Sequence, residues 1–197
     1  MNRLVLSLLA VLLLFSCTPK DTHTEFLGIS LGEPAKVFID KLEQKDFTHL
    51  DTDRGRPFTH HMLVGTFSGV AGCLVDVMEN DYGNIETVDV TFPSSLSFED
   101  AKGLYQDIKE SLVEKYGKSK ATSKERIDPD YGSSETGIET AFRYEDAEYR
   151  TTVSLKNGGY IYLSIEYYDF MGGFCVAISY TDSLSNYTSK EKMSNDL

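Results

Sequence analysis

The sequence contains no tryptophan and is short of basic residues, and the shortage of positive charge excludes whole classes of ligand. Its 197 residues include 19 lysines and arginines against 31 aspartates and glutamates, which gives a formal net charge of -12. Phosphate backbones and anionic lipid headgroups would repel such a chain, so we expect no nucleic-acid binding and no polybasic membrane contact. The aromatic residues are instead 12 tyrosines and 11 phenylalanines.

Long apolar runs are also scarce, and the one at the N-terminus is too short for a transmembrane helix. It covers residues 4–15, interrupted only by Ser7, whereas a membrane-spanning helix needs about 20 apolar residues. Arg3 precedes the run, and Ser16 stands directly before Cys17, so the segment resembles a bacterial lipoprotein signal. The resemblance implies cleavage before Cys17 and acylation of that cysteine by a diacylglycerol and a further fatty acid. An ordinary cleaved signal peptide is the alternative.

The remaining chain is predicted to form one α+β domain. We divide the sequence into a signal peptide at 1–16, a spacer at 17–25, a single domain at 26–182 and a polar tail at 183–197. Two units, at about 26–92 and 97–182, each place a helix before several strands. One helix and three or four strands cannot close a core alone, so we expect one continuous antiparallel sheet with both helices packed against it.

Individual elements follow from periodicity and from turn residues. Helices are expected over residues 35–45 and from Ser97 to Tyr116, the second one beginning in a near capping box and ending at Gly117. Residues 118–137 have no apolar period and are predicted to be a mobile loop. Strands are predicted at 26–29, 62–67, 73–79, 85–92, 140–144, 148–155, 160–168 and 174–181.

Several short motifs carry a resemblance to a known family. The segments 26–32, 63–69, 112–117 and 176–182 resemble an uncharacterised Bacteroidetes lipoprotein family over most of residues 26–182. More loosely, the duplicated helix and strands are similar to the fold of β-lactamase inhibitory protein and to small outer-membrane assembly lipoproteins. These resemblances imply an outer-membrane lipoprotein of the cell envelope, either periplasmic or surface-exposed, and they transfer no functional residues.

Residues that carry catalysis or bind metals lack a convincing spacing. The segment 28–32 matches the G-x-S-x-G pattern of hydrolases, but too little chain precedes Ser30 to build the sheet and the oxyanion donor of such a site. His60 and His61 are neighbours on a strand, so they point to opposite faces and are interpreted as two exposed histidines. We therefore predict no catalytic residue, no metal site, no cofactor and no enzymatic activity. A hydrolase is kept as an alternative function.

The two remaining cysteines are predicted to be free thiols, although an exported protein permits a disulfide. Cys73 shares its strand face with Val75 and Val77, which indicates the core. Cys175 shares its face with Ala177, whereas the apolar residues of its strand lie on the opposite face. The two side chains would then point to opposite sides of the sheet, where a disulfide cannot form.

The strand predicted at 160–168 gives the strongest indication of function. Its apolar residues lie on one face, and the other face carries Tyr160, Tyr162, Glu166 and Tyr168. Aromatic area mixed with hydroxyls and an acid is typical of a surface that binds a protein or a glycan. We therefore predict a non-enzymatic, lipid-anchored envelope domain that binds such a partner through its sheet.

Two alternatives to this interpretation stay open. The tyrosines brace cross-strand neighbours or lie beneath residues 118–137, in which case they serve the fold and not a partner. Alternatively, the chain is a periplasm-facing assembly or scaffold lipoprotein of the envelope.

Replacing Cys17 by serine tests the lipoprotein signal. We expect the Cys17→Ser protein to lose acylation and either to accumulate as unprocessed precursor or to leave the membrane fraction, because one thiol carries the lipid. Fractionation of cells fed a labelled fatty acid measures both effects. Normal processing with full membrane retention would contradict the lipoprotein assignment.

Overall fold

The computed structural model describes residues 23–50, 60–93, 97–169 and 172–184. The predicted signal peptide and Cys17 lie outside these ranges, as do residues 185–197 of the predicted tail. The helices are α1 (Ala35–Glu43), α2 (Phe98–Tyr116) and α3 (Glu135–Arg143). The strands are β1 (Glu25–Phe26), β2 (Ile29–Ser30), β3 (Thr48–His49), β4 (His60–Phe67), β5 (Val70–Glu79), β6 (Ile85–Thr91), β7 (Ala121–Ile127), β8 (Ala147–Ser154), β9 (Tyr160–Tyr168) and β10 (Gly173–Thr181).

Eight strands form one antiparallel sheet, in the order β3-β4-β5-β6-β10-β9-β8-β7, while β1 and β2 form a separate hairpin. The order shows two meanders, one from each half of the chain, that meet where β6 pairs with β10. That pairing runs from Thr87 opposite Thr181 to Thr91 opposite Ala177. The predicted α+β class, with two helix-plus-strands units sharing one sheet and the helices packed against it, is confirmed.

Helix α2 forms where its sequence signals place it. The Ser97 side chain accepts a hydrogen bond from the Asp100 amide, which caps the first turn. Gly117, at a φ of 94°, ends the helix in a conformation that favours glycine. No helix in the described ranges is long and apolar enough to cross a membrane. The buried residues of α2 recur at helical spacing and are Phe98, Ala101, Tyr105, Ile108 and Leu112.

All three helices and the β1–β2 hairpin pack on the same side of the sheet. Phe26 of the hairpin stacks on Phe67, with ring centroids 5.5 Å apart, and Phe142 of α3 meets Phe174 of β10 at 5.2 Å. Buried side chains of α1 and α2 belong to the same hydrophobic cluster. We call this the helix side of the sheet. None of the described helices lies on the other side, which we call the open face.

The predicted loop at 118–137 is wrong, because its first half forms strand β7. This strand lies at the edge of the sheet, and its five central residues are exposed, so it has no apolar alternation to reveal it. Seven residue pairs with β8, from Ala121 opposite Val153 to Ile127 opposite Ala147, hold it in place. Pairing with a neighbour, and not burial, makes this segment a strand.

The predicted strand at 140–144 is also wrong, because these residues belong to helix α3 and its C-terminal cap. The Ser134 side chain caps the helix by accepting a hydrogen bond from the Gly137 amide. Ile138 and Ala141 are buried one turn apart, which is helical spacing. The helix is short, so the pattern of residues 140–144 taken alone resembles that of a strand.

The N-terminal part of the domain also differs from the prediction. Residues 26–29 were expected to form one strand, but Leu27 and Gly28 turn the chain between β1 and β2 at φ angles of 51° and 74°. Thr24, which lies in the predicted spacer, is buried. The C-terminal end of this turn suits glycine, whereas Leu27 adopts an uncommon conformation for its type.

Both described cysteines are free and buried, as predicted. Cys73 lies opposite Gly65 on the helix side, whereas Cys175 lies opposite Glu166 on the open face. Their opposite orientations follow from the alternation of side chains along β5 and β10.

A buried aspartate ties the start of the domain to the end of its last strand. The Asp182 side chain has no exposed surface; its Oδ1 accepts a hydrogen bond from the Thr24 amide at 2.9 Å, and its Oδ2 lies 2.6 Å from Nδ1 of His23. The Asn157 amide reaches Oδ1 from the β8–β9 turn at 3.4 Å. Three distant segments therefore meet at one carboxylate.

Replacing Asp182 by alanine is expected to lower the free energy of unfolding by roughly 2 kcal/mol, because the Thr24 amide would stay buried without an acceptor. Chemical denaturation of the mature chain measures the loss. Asp169→Ala is the matched control, since the Asp169–Arg143 ion pair is exposed and should contribute little to stability. Equal stabilities for the two variants would contradict the role given to Asp182.

Candidate partner-binding face

The four residues predicted to contact a partner all lie on the open face. Tyr160 is opposite Thr181, Tyr162 opposite Ser179, Glu166 opposite Cys175 and Tyr168 opposite Gly173. The intervening residues Ile161, Leu163 and Ile165 are buried on the helix side, as predicted. Tyr160 is 44% exposed, and the other three are partly exposed.

The β7 part of residues 118–137 does not cover these tyrosines. Strand β7 extends the sheet beyond β8, and α3 packs its Phe142 against Tyr149 and Phe174 on the helix side. The alternative that the tyrosines lie beneath this segment is therefore wrong for its β7 part. The other alternative, that they brace cross-strand neighbours, is compatible with their partial burial.

A row of side chains crosses the middle of the open face. The strand register places Met62, Asp76, Asp89, Ser179 and Tyr162 side by side on β4, β5, β6, β10 and β9. Asp76 and Asp89 are direct cross-strand partners, an arrangement in which like charges destabilise a sheet. The row thus combines an acidic centre with a methionine at one end and a tyrosine at the other.

Asp89 is in an unusual environment for a carboxylate. Its Oδ1 is buried and accepts no hydrogen bond from any described residue. Burial raises the pKa of Asp89, and the Asp76 carboxylate adds to this, whereas a hydrogen bond from Ser179 and the proximity of His60 lower the pKa. The native structure therefore holds Asp89 where its ionised form is disfavoured.

The histidine pair corrects one prediction and confirms another. His60 and His61 do point to opposite faces, but neither is fully exposed, with 25% and 19% of their side chains accessible. His60 lies 3.2 Å from both Asp76 oxygens on the open face, and His61 lies 2.5 Å from Glu79 on the helix side. Each histidine therefore has its own carboxylate partner.

The margin of the open face along β7 and β8 is basic. Glu148 forms ion pairs with Lys124, Arg126 and Arg150, at 2.5, 3.5 and 2.7 Å. The hydrogen bond from Lys124 lowers the pKa of Glu148, with the two arginine charges adding to the effect. Three cations around one carboxylate leave this margin with positive charge.

Cys175, near the N-terminal end of β10, is fully buried on the open face. Burial and, to a smaller extent, the Glu166 carboxylate opposite together raise the pKa of its thiol to about 12. A thiol that stays protonated and buried is a poor nucleophile. Cys175 therefore contributes to packing on this face.

In the described ranges, the residues considered for catalysis or metal binding have other partners. The Ser30 hydroxyl donates to the Leu31 carbonyl at 3.2 Å within the β1–β2 hairpin. The part of the chain that the structure describes holds no group of three histidine, cysteine or carboxylate side chains arranged for a metal ion. The open face is therefore the best-defined candidate site.

Sequence reasoning missed the acidic pair. Asp76 and Asp89 occupy polar positions within alternating strands, which placed each on the solvent side of its own strand. Their direct opposition depends on the register of β5 against β6, which includes a shift next to Met78. Alternation within one strand does not supply that register.

Replacing Asp89 by asparagine is expected to stabilise the fold by roughly 0.5 to 1 kcal/mol at neutral pH, because the substitution removes the repulsion from Asp76. The pKa of Asp89 is raised in the native state, so the wild type loses stability as pH rises through that pKa. The gain of Asp89→Asn should therefore shrink as the pH falls through this raised pKa, and it should vanish near the value of about 3.9 that is usual for aspartate in an unfolded chain.

Chemical denaturation of the mature chain across this pH range measures the effect. Asp81→Asn, in the exposed β5–β6 turn, is the matched control and should change little. Destabilisation by Asp89→Asn at neutral pH would show that the Asp89 carboxylate supports the fold.

No family model matches the chain, and comparisons with curated proteins and with solved structures give no match. The motifs behind the Bacteroidetes resemblance form the β1–β2 hairpin, much of β4, the end of α2 and most of β10. Tyr160, Tyr162, Glu166 and Tyr168 lie outside all of these motifs.

Proposed function

We propose that this chain is a lipid-anchored protein of the bacterial cell envelope that binds a macromolecular partner, protein or glycan, through its open face and catalyses no reaction. The observation that supports the proposal best is the position of the predicted contact residues. Tyr160, Tyr162, Glu166 and Tyr168 share one side of the sheet, and every described helix packs on the other side.

The size of the open face suits a macromolecule. Eight strands at a spacing of about 4.8 Å give a width of about 34 Å, and the nine residues of β9 give a length of about 30 Å. The face therefore offers roughly 1,000 Å², compared with about 800 Å² that each partner buries in an interface of standard size. A small molecule would instead need a concave pocket that encloses it.

The chemistry of the face also supports binding. Tyrosine is enriched at interfaces because it combines a large rigid ring with a hydroxyl that forms hydrogen bonds. Tyr162 stands in the central row, next to Ser179 and the two aspartates. The lipid anchor, which is expected at Cys17, would hold this face close to a membrane, since only five residues lie between Cys17 and His23.

A binding experiment with two matched tyrosine variants tests the proposal. The bait is the mature chain from Thr18 onward, which retains His23 beside Asp182, and the prey is envelope extract. Tyr162→Ala should weaken capture of a specific partner by about 2 kcal/mol, or roughly 30-fold in Kd, as expected for an interface hot spot. The melting temperature should stay the same, because Tyr162 is only partly buried.

Tyr144→Ala is the control, because Tyr144 is 70% exposed and caps α3 on the helix side. Its capture should equal that of the wild type. A partner that binds the wild type and both variants equally would show that the open face is not the contact surface. A lower melting temperature for Tyr162→Ala would instead show that Tyr162 braces the sheet.

A further inference from the structure

Charge is distributed unevenly across the open face, with acid at its centre. Asp76, Asp89 and Glu166 lie on β5, β6 and β9. Within the described ranges, no lysine or arginine forms an ion pair with any of the three, and His60 is the only basic side chain within 4 Å of Asp76. Among the residues that the structure describes, these three carboxylates therefore have no lysine or arginine partner.

The margin has the opposite sign. Lys124 and Arg126 on β7, together with Arg150 on β8, surround the single carboxylate of Glu148. Moving across the sheet from β5 to β7, the face changes from acidic to basic. A partner surface with the reverse order of charges would be complementary to it, and complementarity of this kind sets orientation and accelerates association.

We infer that the partner is a protein whose contact surface presents an arginine or lysine side chain to Asp76 and Asp89 and presents acidic side chains to the β7–β8 margin. This inference rests on the proposed function and narrows its partner class. It commits to a protein, because a neutral glycan supplies hydroxyl groups and would leave the repulsion between the two carboxylates in place.

The central row has the features of a cation receptor. Asp76 and Asp89 are adjacent, so one guanidinium group can satisfy both carboxylates through its several N–H donors. Met62 beside Asp76 offers apolar contact for the aliphatic stem of the incoming side chain. Tyr162 on the far side of Ser179 provides an aromatic ring near the same row.

The free protein already contains an unfavourable electrostatic interaction that a bound cation would relieve. The buried Oδ1 of Asp89 has lost its water and, among the described residues, has gained no donor in exchange. A cation seated over the pair neutralises the repulsion that the free sheet tolerates. Binding therefore relieves a repulsion between Asp76 and Asp89 that is already present in the free protein.

Ethylguanidinium, a model of the end of an arginine side chain, is the probe for this site. Titrated into the isotope-labelled mature chain, it should cause saturable amide shifts in the central row, on β4, β5, β6 and β10. N-ethylurea has the same shape without the charge and should bind about tenfold more weakly or not at all, as expected for loss of one charge-assisted hydrogen bond. Asp76→Asn combined with Asp89→Asn should abolish the ethylguanidinium shifts.

The matched control changes charge elsewhere on the same face. Lys124→Gln combined with Arg126→Gln should leave ethylguanidinium binding intact, because these residues lie on the basic margin. Equal binding of ethylguanidinium and N-ethylurea, or binding that survives loss of both aspartates, would overturn the inference. Unsaturable shifts spread over the whole surface would also overturn it.

Measuring how capture of the partner depends on Tyr162 and on the two aspartates distinguishes this inference from the proposed function. If Tyr162→Ala and Asp89→Asn both lose capture of the partner while Tyr144→Ala captures it as the wild type does, the result supports both the proposed function and this inference. Capture that depends on Tyr162 but not on Asp76 or Asp89 leaves the proposed function standing and refutes the cationic partner. Capture of a neutral glycan at the open face would refute it as well.

Discussion

The pairing of β6 with β10 is the interaction on which the rest of the structure depends. Each half of the chain supplies a main helix and a meander, and neither half can cover its own sheet face and close a core. The joined strands bury Val88, Val90, Val176 and Ile178 on the helix side, at the centre of the sheet. The same pairing makes the other side of the sheet continuous, so that residues from β5 and β9 share one surface.

The two sides of the sheet meet different physical demands. On the helix side, apolar side chains of both halves form one cluster with the helices, and this burial supplies the stability of the domain. The open face holds an aspartate pair in repulsion and a buried Asp89 oxygen to which none of the described residues donates a hydrogen bond. Features of this kind lower stability, and proteins retain them where binding needs them.

Local patterns predicted some elements well and others not at all. Helix α2 was predictable because a capping serine, a stripe of apolar residues and a terminal glycine all agree. Strand β7 carries charges at successive positions and owes its conformation to β8, so its own sequence gives no sign of it. Helix α3 was missed because only two of its nine residues are fully buried.

The sequence by itself determined the fold class, the two-unit organisation, the opposite orientations of Cys73 and Cys175, and the face that carries Tyr160, Tyr162, Glu166 and Tyr168. All of these follow from periods of two and 3.6 residues, which are properties of one segment. Only the tertiary structure decided that Asp76 stands opposite Asp89, that both join the row of Tyr162, and that the β7–β8 margin is basic. Strand register joins residues that are distant in the chain, and no local period encodes which of them will meet.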